Sequence, residues 1–384
     1  MTFTLCNDKI KEKFLSGVSV LKKIRLLHTG DMHLGSQFAT LESTSALIRK
    51  KELEKTCTDI ICKSENYDIV LLAGDVFDSG NVSREIADGL LNCISENGKT
   101  RFFWSCGNHD PYESTIMKYC RKNCPGNLYI FSPDAIECKQ IPELGICIWG
   151  RSFKTGRVLS SFLDDFTTEL NGEHKNILCM HSEITDSEGI YNPVSVKSIA
   201  DTLFDYVALG HIHSYSGMQT AGKTTYSYCG CPEGRGFDEC GDKGCVSVEI
   251  SDMGVRADFV SMAKRKYICE KIDVSDIVSY DEIISLINDI VGSGNLCKIE
   301  FVGENRISPL LNTEYIEHST NTFYIESIDS THPALNPEEV KDGISLIGLC
   351  AAKALEMNND AQNNEEKELI RKAFALLKTE FDKW

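Results

Sequence analysis

Five apolar segments in the first half of the chain each end at a short cluster of Gly, Asp, Asn or His. They occupy residues 24–33, 67–78, 101–110, 176–183 and 206–213. Runs of Val, Ile, Leu and aromatic residues bounded by such clusters predict buried β-strands. Helix-like spacing over residues 41–65 and 82–97 separates the first three segments. Alternating strands and helices predict βαβ units, in which the ligand crevice lies at the carboxyl ends of the strands.

The second half of the chain has a different pattern. Residues 218–260 contain three strand-like segments separated by turns, which we expect to form a meander that closes a second sheet. Residues 265–330 mix strand-like and helix-like segments and predict a small α+β module. Two prolines mark residues 331–337 as a linker, and apolar residues at helical spacing predict a helical tail over 338–384.

Length and composition favour a soluble protein with two domains, or with one large domain plus an appendage. The chain has 384 residues, of which 42% are hydrophobic and 25% charged, and no apolar run is long enough to span a bilayer. Residues 1–23 lack the features of a secretory signal and are interpreted as an N-terminal extension. The 17 cysteines are odd in number and scattered, unlike a secreted disulfide framework. We therefore expect a cytoplasmic protein with no membrane span.

The net charge of −17 limits the partners that the chain can attract by itself. Binding of nucleic-acid phosphates normally relies on Lys and Arg, which here number 40 against 57 Asp and Glu. Bound divalent cations would offset part of the negative charge locally without making the whole surface attractive to DNA. A basic partner subunit could supply the rest.

Polar side chains collect at the five predicted strand ends. They are Asp31, His33, Asp75, Asp78, Asn108, His109, Asp110, His181, His211 and His213. Together they offer carboxylate, imidazole and amide donors, a set that suits Mn, Fe or Zn, and the share of oxygen favours Mn. Alternate residues of an extended segment point to the same face, so one strand end can aim two side chains at one site. The sequence therefore predicts a divalent-metal centre at this edge of the sheet.

A centre with two metal ions needs at least one shared ligand. Asp75 follows a long apolar strand and is the natural bridging carboxylate. The remaining ligands divide into two predicted sets, Asp31, His33 and His213 for one ion and Asn108, His181 and His211 for the other. Glycines at positions 30, 74, 107 and 210 stand before these ligands and let the backbone approach closely.

The motifs DMH, GDVFD, GNHD and GHIH, with a single His after the fourth strand, resemble the signature of the calcineurin-like metallophosphoesterase superfamily in order and spacing. The resemblance covers about residues 24–250. Within that superfamily, DMHLG, GDVFDSG and CGCPEGRGFDECGDKG (229–244) are similar to the nuclease subunit of SbcCD-type DNA repair complexes and to YhaO-like exonucleases. The resemblance implies a metal-dependent phosphoesterase that cleaves DNA as an exonuclease or endonuclease.

The same resemblance implies an α+β fold, a two-sheet α/β/β/α sandwich with a small capping domain and a C-terminal helical tail. The predicted domains are an N-terminal extension (1–23), a nuclease domain (24–262), an α+β capping domain (263–330), and a linker with a helical segment (331–384). In this family the helical segment docks on an SMC-like coiled-coil ABC-type ATPase, which is therefore the expected partner. Family members are often dimers, so a homodimer is a further expectation.

The resemblance also implies how the centre acts. Two cations would clamp a phosphodiester and lower the pKa of a bridging water, so that hydroxide attacks phosphorus. His109 would contact the scissile phosphate and protonate the leaving oxygen, and Asp110 would orient the ring of His109. Asp78 and Arg235 are candidate substrate-binding residues; some family members have histidine at the position of Asp78, whose role is open.

Alternative functions stay open at this point. The same chemistry would serve a nucleotide or small-molecule phosphodiesterase or a phosphatase. A phosphoprotein phosphatase would have an arginine soon after the second motif and Glu at the end of the third, and this chain has neither. A third hypothesis is a metal-stabilised scaffold that seats the ATPase.

Three other features have a functional and a structural interpretation. The four cysteines between residues 229 and 245 could bind zinc, but their spacing is not that of a standard zinc knuckle, which favours ordinary loop cysteines. The aromatic residues 102–104 could stack on bases, but their place within a predicted strand favours core packing. His28 lies inside the first strand and is predicted to be a core residue.

Overall fold

The structure, a computed structural model, describes residues 23–78, 82–170, 172–307, 311–333 and 344–381. Most of the predicted N-terminal extension and of the predicted linker lies outside the described residues. The chain divides into two compact units. One runs to Arg235 and resumes over Asp242–Lys264, and the other comprises Gly236–Gly241 and the chain from Arg265 onward. The chain therefore leaves the first unit twice.

The first unit contains a six-stranded sheet that is parallel in one part and antiparallel in the other. Its strands are β1 (Ile24–Thr29), β2 (Ile69–Leu72), β3 (Arg101–Trp104), β4 (Leu128–Ile130), β13 (Gly244–Ser251) and β14 (Gly254–Ser261). Their order is β14-β13-β1-β2-β3-β4. Strands β1 to β4 are parallel, so their carboxyl ends meet at one edge, whereas β13 pairs antiparallel with both β1 and β14.

A second six-stranded sheet lies in the same unit. Its strands are β5 (Glu137–Ile141), β6 (Ile146–Gly150), β7 (Lys175–His181), β10 (Tyr206–Gly210), β11 (Gln219–Ala221) and β12 (Thr224–Tyr228). The order is β11-β12-β10-β7-β6-β5, with the four inner strands parallel and both edge strands antiparallel. The short strands β8 (Glu183–Ile184) and β9 (Pro193–Val194) pair with each other.

The two sheets bury their apolar faces in one core. The first sheet contributes Leu26, Leu71 and Val248, and the second contributes Ile148, Ile177 and Ala208, all of them buried. Successive residues of a strand face opposite sides, so the alternate positions of the second sheet, such as Leu178 and Val207, pack in a separate cluster with Ile199 and Phe204. The predicted two-sheet sandwich is confirmed.

One prediction about this sandwich is wrong. We expected the whole of residues 218–260 to close the second sheet, but only β11 and β12 belong to it. The hairpin of β13 and β14 instead pairs with β1, where Leu26 lies opposite Val248. This pairing covers the edge of β1 that the parallel strand β2 does not use, and an uncovered edge is a template for pairing with other chains.

In the described part of the first unit, four helices connect the strands. They are α1 (Ser43–Cys62), which continues into a short 3-10 turn (Lys63–Asn66), α2 (Arg84–Glu96), α3 (Thr115–Lys122) and α4 (Val196–Thr202). Serine hydroxyls cap the amino ends of the last three and satisfy backbone N–H groups that the first turn leaves unpaired. The buried residues of α1, which include Ala46, Arg49, Leu53 and Ile60, recur every three or four positions and form one face.

His28 is a core residue, as predicted. Its ring is fully buried, with Nδ1 2.9 Å from the Tyr206 hydroxyl and Nε2 3.2 Å from the Leu209 carbonyl oxygen. Burial lowers the pKa of His28 to about 3, so this imidazole is neutral at physiological pH. Both of its ring nitrogens contact the second sheet, and His28 therefore joins the two layers behind the strand ends.

The second unit is built on three parallel strands, β15 (Tyr267–Asp273), β16 (Leu296–Val302) and β18 (Tyr324–Asp329). Helices α5 (Tyr280–Val291) and α6 (Thr313–Ser319) alternate with them, and β17 (Glu304–Asn305) pairs with β19 (His332–Pro333). Its core contains Ile272, Ile283, Ile299 and Phe301. The predicted helical tail is present as α7 (Leu346–Asp360) and α8 (Asn364–Phe381). Within the described part of the chain, no helix is long and apolar enough to cross a membrane.

Candidate metal centre

Polar side chains that follow β1, β2, β3, β7 and β10 meet at the carboxyl edge of the two sheets. His33 Nε2 lies 3.2 Å from His213 Nε2, so the first and last of these strand ends contact each other. His181 Nε2 lies 2.9 Å from Asn108 Oδ1, which joins the third and fourth. Residues that are far apart in the sequence therefore form one site.

Potential ligand atoms group into three clusters, in each of which they all lie within 4.8 Å of one another. The clusters are Asp31, His33 and His213; Asp31, Asp75 and His181; and His33, Asp78 and His109. The first cluster is one of the two predicted ligand sets. Asp75, a member of the second cluster, also lies near the first, since its Oδ2 is 3.4 Å from His181 Nε2 and 3.8 Å from His33 Nε2.

His211 occupies a different position from the other predicted ligands. Its ring lies edge-on to His181 with centroids 5.1 Å apart, and it also contacts the ring of Tyr191. Its backbone N–H donates to both oxygens of Asp31, at 2.9 and 3.1 Å. None of the three clusters found among the described residues includes His211. Its assignment as a ligand beside Asn108 and His181 stays a prediction.

Four residues of the centre have a left-handed backbone, which side chains other than glycine rarely adopt. They are Asp31 (φ 46°), His33 (φ 45°), Asp75 (φ 48°) and His211 (φ 107°). Each such residue costs about 1–3 kcal/mol of free energy and persists only where neighbouring contacts compensate for that cost. Backbone hydrogen bonds supply such contacts here: Asp31 N donates to Gly74 O and His33 N donates to Asp75 O, both at 2.9 Å.

The contacts of Asp110 differ from the predicted one with the ring of His109. Asp110 is fully buried, and its carboxylate accepts hydrogen bonds from the backbone N–H groups of Gly107, Asp75, Val76 and Phe77. Asp78 is the carboxylate beside His109, with Oδ1 3.2 Å from His109 Nδ1. Asp110 therefore fixes the two loops after β2 and β3, and Asp78 is the residue in a position to orient the imidazole.

Burial sets the protonation of several imidazoles in the centre. It lowers the pKa of His33 and of His211 to about 4, and it also lowers the pKa of His181. These three rings are therefore neutral at pH 7, the form in which imidazole binds a metal ion. Because metal ligands must offer a lone pair, this protonation state fits a divalent cation.

Burial and neighbouring charges shift the pKa values of two buried carboxylates of the centre in opposite directions. Burial, helped by the nearby charge of Asp75, raises the pKa of Asp31 well above its usual range. Burial alone would raise the pKa of Asp75 as well, but the adjacent imidazoles of His181 and His33 lower it. Two buried carboxylates close together need a neighbouring positive charge.

The hydrogen bonding of the centre also fits a bound cation. The Nδ1 atoms of His33 and His109 are buried and make no well-aligned hydrogen bond within the described residues, although the Asp78 carboxylate lies 3.5 and 3.2 Å from them. Buried polar atoms of folded proteins are nearly always paired, so each such atom needs an explanation. Mixed carboxylate, imidazole and amide donors would accept a Mn, Fe or Zn ion.

Arg235 lies at the rim of the centre. Its Nη2 is 3.1 Å from His213 Nδ1, and its Nη1 is 3.4 Å from the hydroxyl of Ser36. Ser36 in turn donates to Asp78 at 3.2 Å. The guanidinium thus contacts His213 directly and is linked to Asp78 through Ser36. Sequence analysis missed Ser36, for which the chain offers no motif.

The structure favours a structural interpretation of the cysteines between residues 229 and 245 and of the aromatic residues 102–104. Cys229, Cys231 and Cys245 are buried, Cys240 Sγ lies 3.5 Å from Cys269 Sγ, and none of the close donor clusters among the described residues contains a cysteine. This arrangement does not support the zinc alternative. Residues 102–104 are all buried in β3, which confirms core packing rather than an exposed stacking surface.

We expect Gly107→Ala to lower the free energy of unfolding by about 1–3 kcal/mol, the usual effect of an added methyl group in a packed site. A Cβ at this position would overlap Oδ1 of Asp75 and lie 2.7 Å from Asp75 N. Gly89→Ala in α2 is the matched control, because a Cβ there meets nothing within 4 Å. Urea unfolding in EDTA measures both variants without a contribution from bound metal. Equal stabilities of the two variants would contradict the close approach.

Comparison with known proteins adds a family context to this geometry. A family profile described as calcineurin-like phosphoesterase matches residues 24–215. The chain is 25% identical over 285 residues to the uncharacterized metallophosphoesterase YhaO of Bacillus subtilis (strain 168), a match that covers 70% of this chain and 68% of YhaO. The range matched by the profile contains every strand-end residue of the centre.

Two further relatives have names that refer to nucleases or DNA repair. The D component of nuclease SbcCD from Bacillus subtilis (strain 168) is 26% identical over 275 residues, which cover 61% of this chain and 68% of that protein. The DNA double-strand break repair protein Mre11 of Methanosarcina acetivorans is 24% identical over 290 residues, which cover 70% of this chain and 44% of that protein.

Proposed function

The chain belongs to the calcineurin-like phosphoesterase family and is a metal-dependent phosphoesterase, and from this premise we propose that it is the nuclease subunit of an SbcCD-like DNA repair complex. The observation that carries the proposal is the set of ligand clusters joined through Asp31 and His33, with Asp75 Oδ2 3.4 Å from His181 Nε2 and 3.8 Å from His33 Nε2. Such overlapping clusters suit two divalent cations that share a carboxylate. The names of two relatives, nuclease SbcCD and Mre11, support DNA as the substrate.

The cations would be held by the residues at the strand ends, with Asp75 as the shared ligand. Asp31, His33 and His213 would hold one ion, and Asn108, His181 and His211 would complete the other. Oxygen donors from two aspartates and one amide favour Mn over Zn. When bound, the two ions would neutralise phosphate charge and make water nucleophilic at neutral pH.

Side chains of the protein would position the phosphodiester and transfer the proton. The side chain of His109 is 37% exposed and so can reach a bound phosphate, and the Asp78 carboxylate lies 3.2 Å from its Nδ1. Asp78 is the first cause of the raised pKa of His109, which favours the protonated form that a general acid needs. Arg235 would contact a non-bridging phosphate oxygen through its guanidinium.

An ATPase partner is also part of the proposal. Several leucines of the tail helices are exposed, among them Leu346, Leu349, Leu369 (69%) and Leu376. Apolar side chains that recur along exposed helices are typical of protein interaction sites. A coiled-coil ABC-type ATPase would cover this surface and could bring the basic charge that this acidic chain lacks, and the complex would act in the cytoplasm.

The proposal is tested by hydrolysis assays on the purified chain. Linear double-stranded DNA, single-stranded DNA and bis-p-nitrophenyl phosphate are each incubated with Mn²⁺ or with EDTA. Cleavage of DNA that requires Mn²⁺ supports the proposal. Cleavage of the small diester alone, also after addition of a purified SbcC-type ATPase, would favour the phosphodiesterase alternative. Two bound Mn²⁺ ions without hydrolysis of any substrate would favour the scaffold.

A further inference from the structure

A fully buried ion pair lies next to the loop that leads to Arg235. Arg49 of α1 donates from Nη2 to Glu233 Oε2 at 2.8 Å, and both side chains are completely shielded from solvent. Arg49 lies on the face of α1 that is otherwise occupied by apolar residues and Thr56. Glu233 follows β12 in the segment that leads to Arg235. The pair therefore joins a helix to a loop that is distant in the sequence.

Further hydrogen bonds hold both side chains of this pair. The other oxygen of Glu233 accepts from the Thr56 hydroxyl at 2.7 Å and from the backbone N–H of Lys264 at 2.6 Å. Arg49 also donates to the Gly234 carbonyl oxygen at 3.0 Å and to Glu52 at 2.7 Å. The loop is thus held by its side chain at residue 233 and by its backbone at residue 234.

Stability alone does not explain why charges occupy this place. Removing two charges from water carries a large desolvation penalty. A protein in which apolar residues of similar size replace a buried ion pair is often as stable as the original, or more stable. What an ion pair adds is directional geometry, since a guanidinium and a carboxylate bind each other only in defined orientations. The residue that comes directly after the clamped segment is Arg235.

We propose that the Arg49–Glu233 pair is a positioning device that holds the Arg235 guanidinium at the metal centre, where it binds a phosphate oxygen of the substrate. The anchoring bonds lie one and two residues before Arg235, and its guanidinium reaches His213 Nδ1 at 3.1 Å and Ser36 Oγ at 3.4 Å. This inference rests on the proposed phosphodiesterase function. It adds residues that touch neither metal nor substrate but determine how tightly phosphate is bound.

The decisive variant is the double substitution Arg49→Met with Glu233→Leu, which removes both charges and retains apolar volume. With bis-p-nitrophenyl phosphate and saturating Mn²⁺, we expect KM to rise about 10-fold or more, the effect of weakening a charge-assisted hydrogen bond, and kcat to change less. Binding of inorganic phosphate, measured by titration calorimetry, is expected to weaken by a similar factor. Arg235→Ala is expected to have the same effects. Combining it with the double substitution is expected to cause no additional loss, because both changes act through the guanidinium of Arg235.

Thr56→Val provides a second test that leaves both charges in place. It removes only the bond from Thr56 to Glu233, and Thr58→Val on the exposed side of the same helix is the matched control. We expect phosphate binding to weaken about two- to five-fold in Thr56→Val and not in Thr58→Val, since one neutral hydrogen bond is lost. This variant decides the question if the double variant does not fold.

The outcomes separate this inference from the function on which it rests. If Arg235→Ala weakens phosphate binding but the double variant and Thr56→Val do not, the positioning role is wrong and Arg235 is still a substrate contact. If all these variants bind phosphate and hydrolyse the diester as the unaltered protein does, Arg235 has no role in phosphate binding, although the chain is a phosphodiesterase. Failure of the unaltered protein to hydrolyse any diester would overturn the proposed function itself.

Discussion

His109→Ala is expected to lower kcat for phosphodiester hydrolysis by about 10²- to 10⁴-fold, the usual contribution of a general acid, while divalent cations still bind. The reason is the position of His109, which is half-buried beside Asp78 and Asp75 but accessible from the solvent side. Titration calorimetry with Mn²⁺ measures binding, and steady-state kinetics measure turnover. Because His109 also belongs to one of the donor clusters, a loss of one bound ion in the variant would identify it as a ligand instead.

His318→Ala is the matched control for this substitution. His318 lies on α6 of the second unit with its side chain 80% exposed, so its removal is expected to leave both kcat and metal binding unchanged. A pH profile adds a second criterion. Asp78 raises the pKa of His109, and a general acid is active only while it is protonated, so activity should fall as the pH rises through that pKa. Asp78→Asn removes the negative charge, lowers this pKa and is expected to move the alkaline limb to lower pH.

Asp75→Asn is expected to abolish metal-dependent hydrolysis, with a loss of about 10³-fold or more, because bound cations contribute several kcal/mol of transition-state stabilisation. The substitution keeps the size of the side chain and its acceptor for the His109 N–H, which lies 2.8 Å from Oδ1. It removes the negative charge between His181 and His33. Substitution of residues that only hydrogen-bond to metal ligands weakens metal binding about 10- to 100-fold. Loss of a ligand shared by both ions should therefore weaken metal binding further.

Asp68→Asn controls for the loss of a carboxylate near the same strand. Asp68 directly precedes β2, and its side chain accepts a backbone N–H from Arg25 at 2.8 Å, as Asp75 accepts one from His109. We expect this variant to retain two bound Mn²⁺ ions and full turnover. If Asp75→Asn also retained two ions with unchanged affinity, the bridging role of Asp75 would be excluded.

The parts of this site that could be predicted from sequence are those encoded locally. Each strand ends at a glycine-rich polar cluster, and parallel strands of one sheet bring such ends to a common edge, so the meeting of His33 after β1 with Asp75 after β2 follows from local pattern and topology. The confirmed core role of His28 follows from its place inside the first predicted strand. These inferences need no knowledge of how distant segments pair.

The features that escaped prediction depend on contacts between distant residues. The sequence motif favours Asp110 as the partner of His109, and only the fold shows that Asp110 faces four backbone N–H groups while Asp78 lies beside the ring. Arg49 looks like an ordinary exposed helix residue until Glu233 is placed against it. The hairpin of β13 and β14 has the alternation of any strand pair, and nothing in its own sequence specifies β1 as its neighbour.

The pairing of β1 with β13 also has a consequence for how the protein is made. Ile24 lies opposite Ile250, so this edge of β1 stays unpaired while more than half of the chain is translated. At roughly 5–20 residues per second, this interval is about 10–45 s on the ribosome. During that time a nascent chain with a partly formed sheet offers an unpaired strand to chaperones and to other nascent chains. We therefore expect the yield of native protein in cell-free synthesis to depend more strongly on chaperone supply than on the final stability of the sandwich.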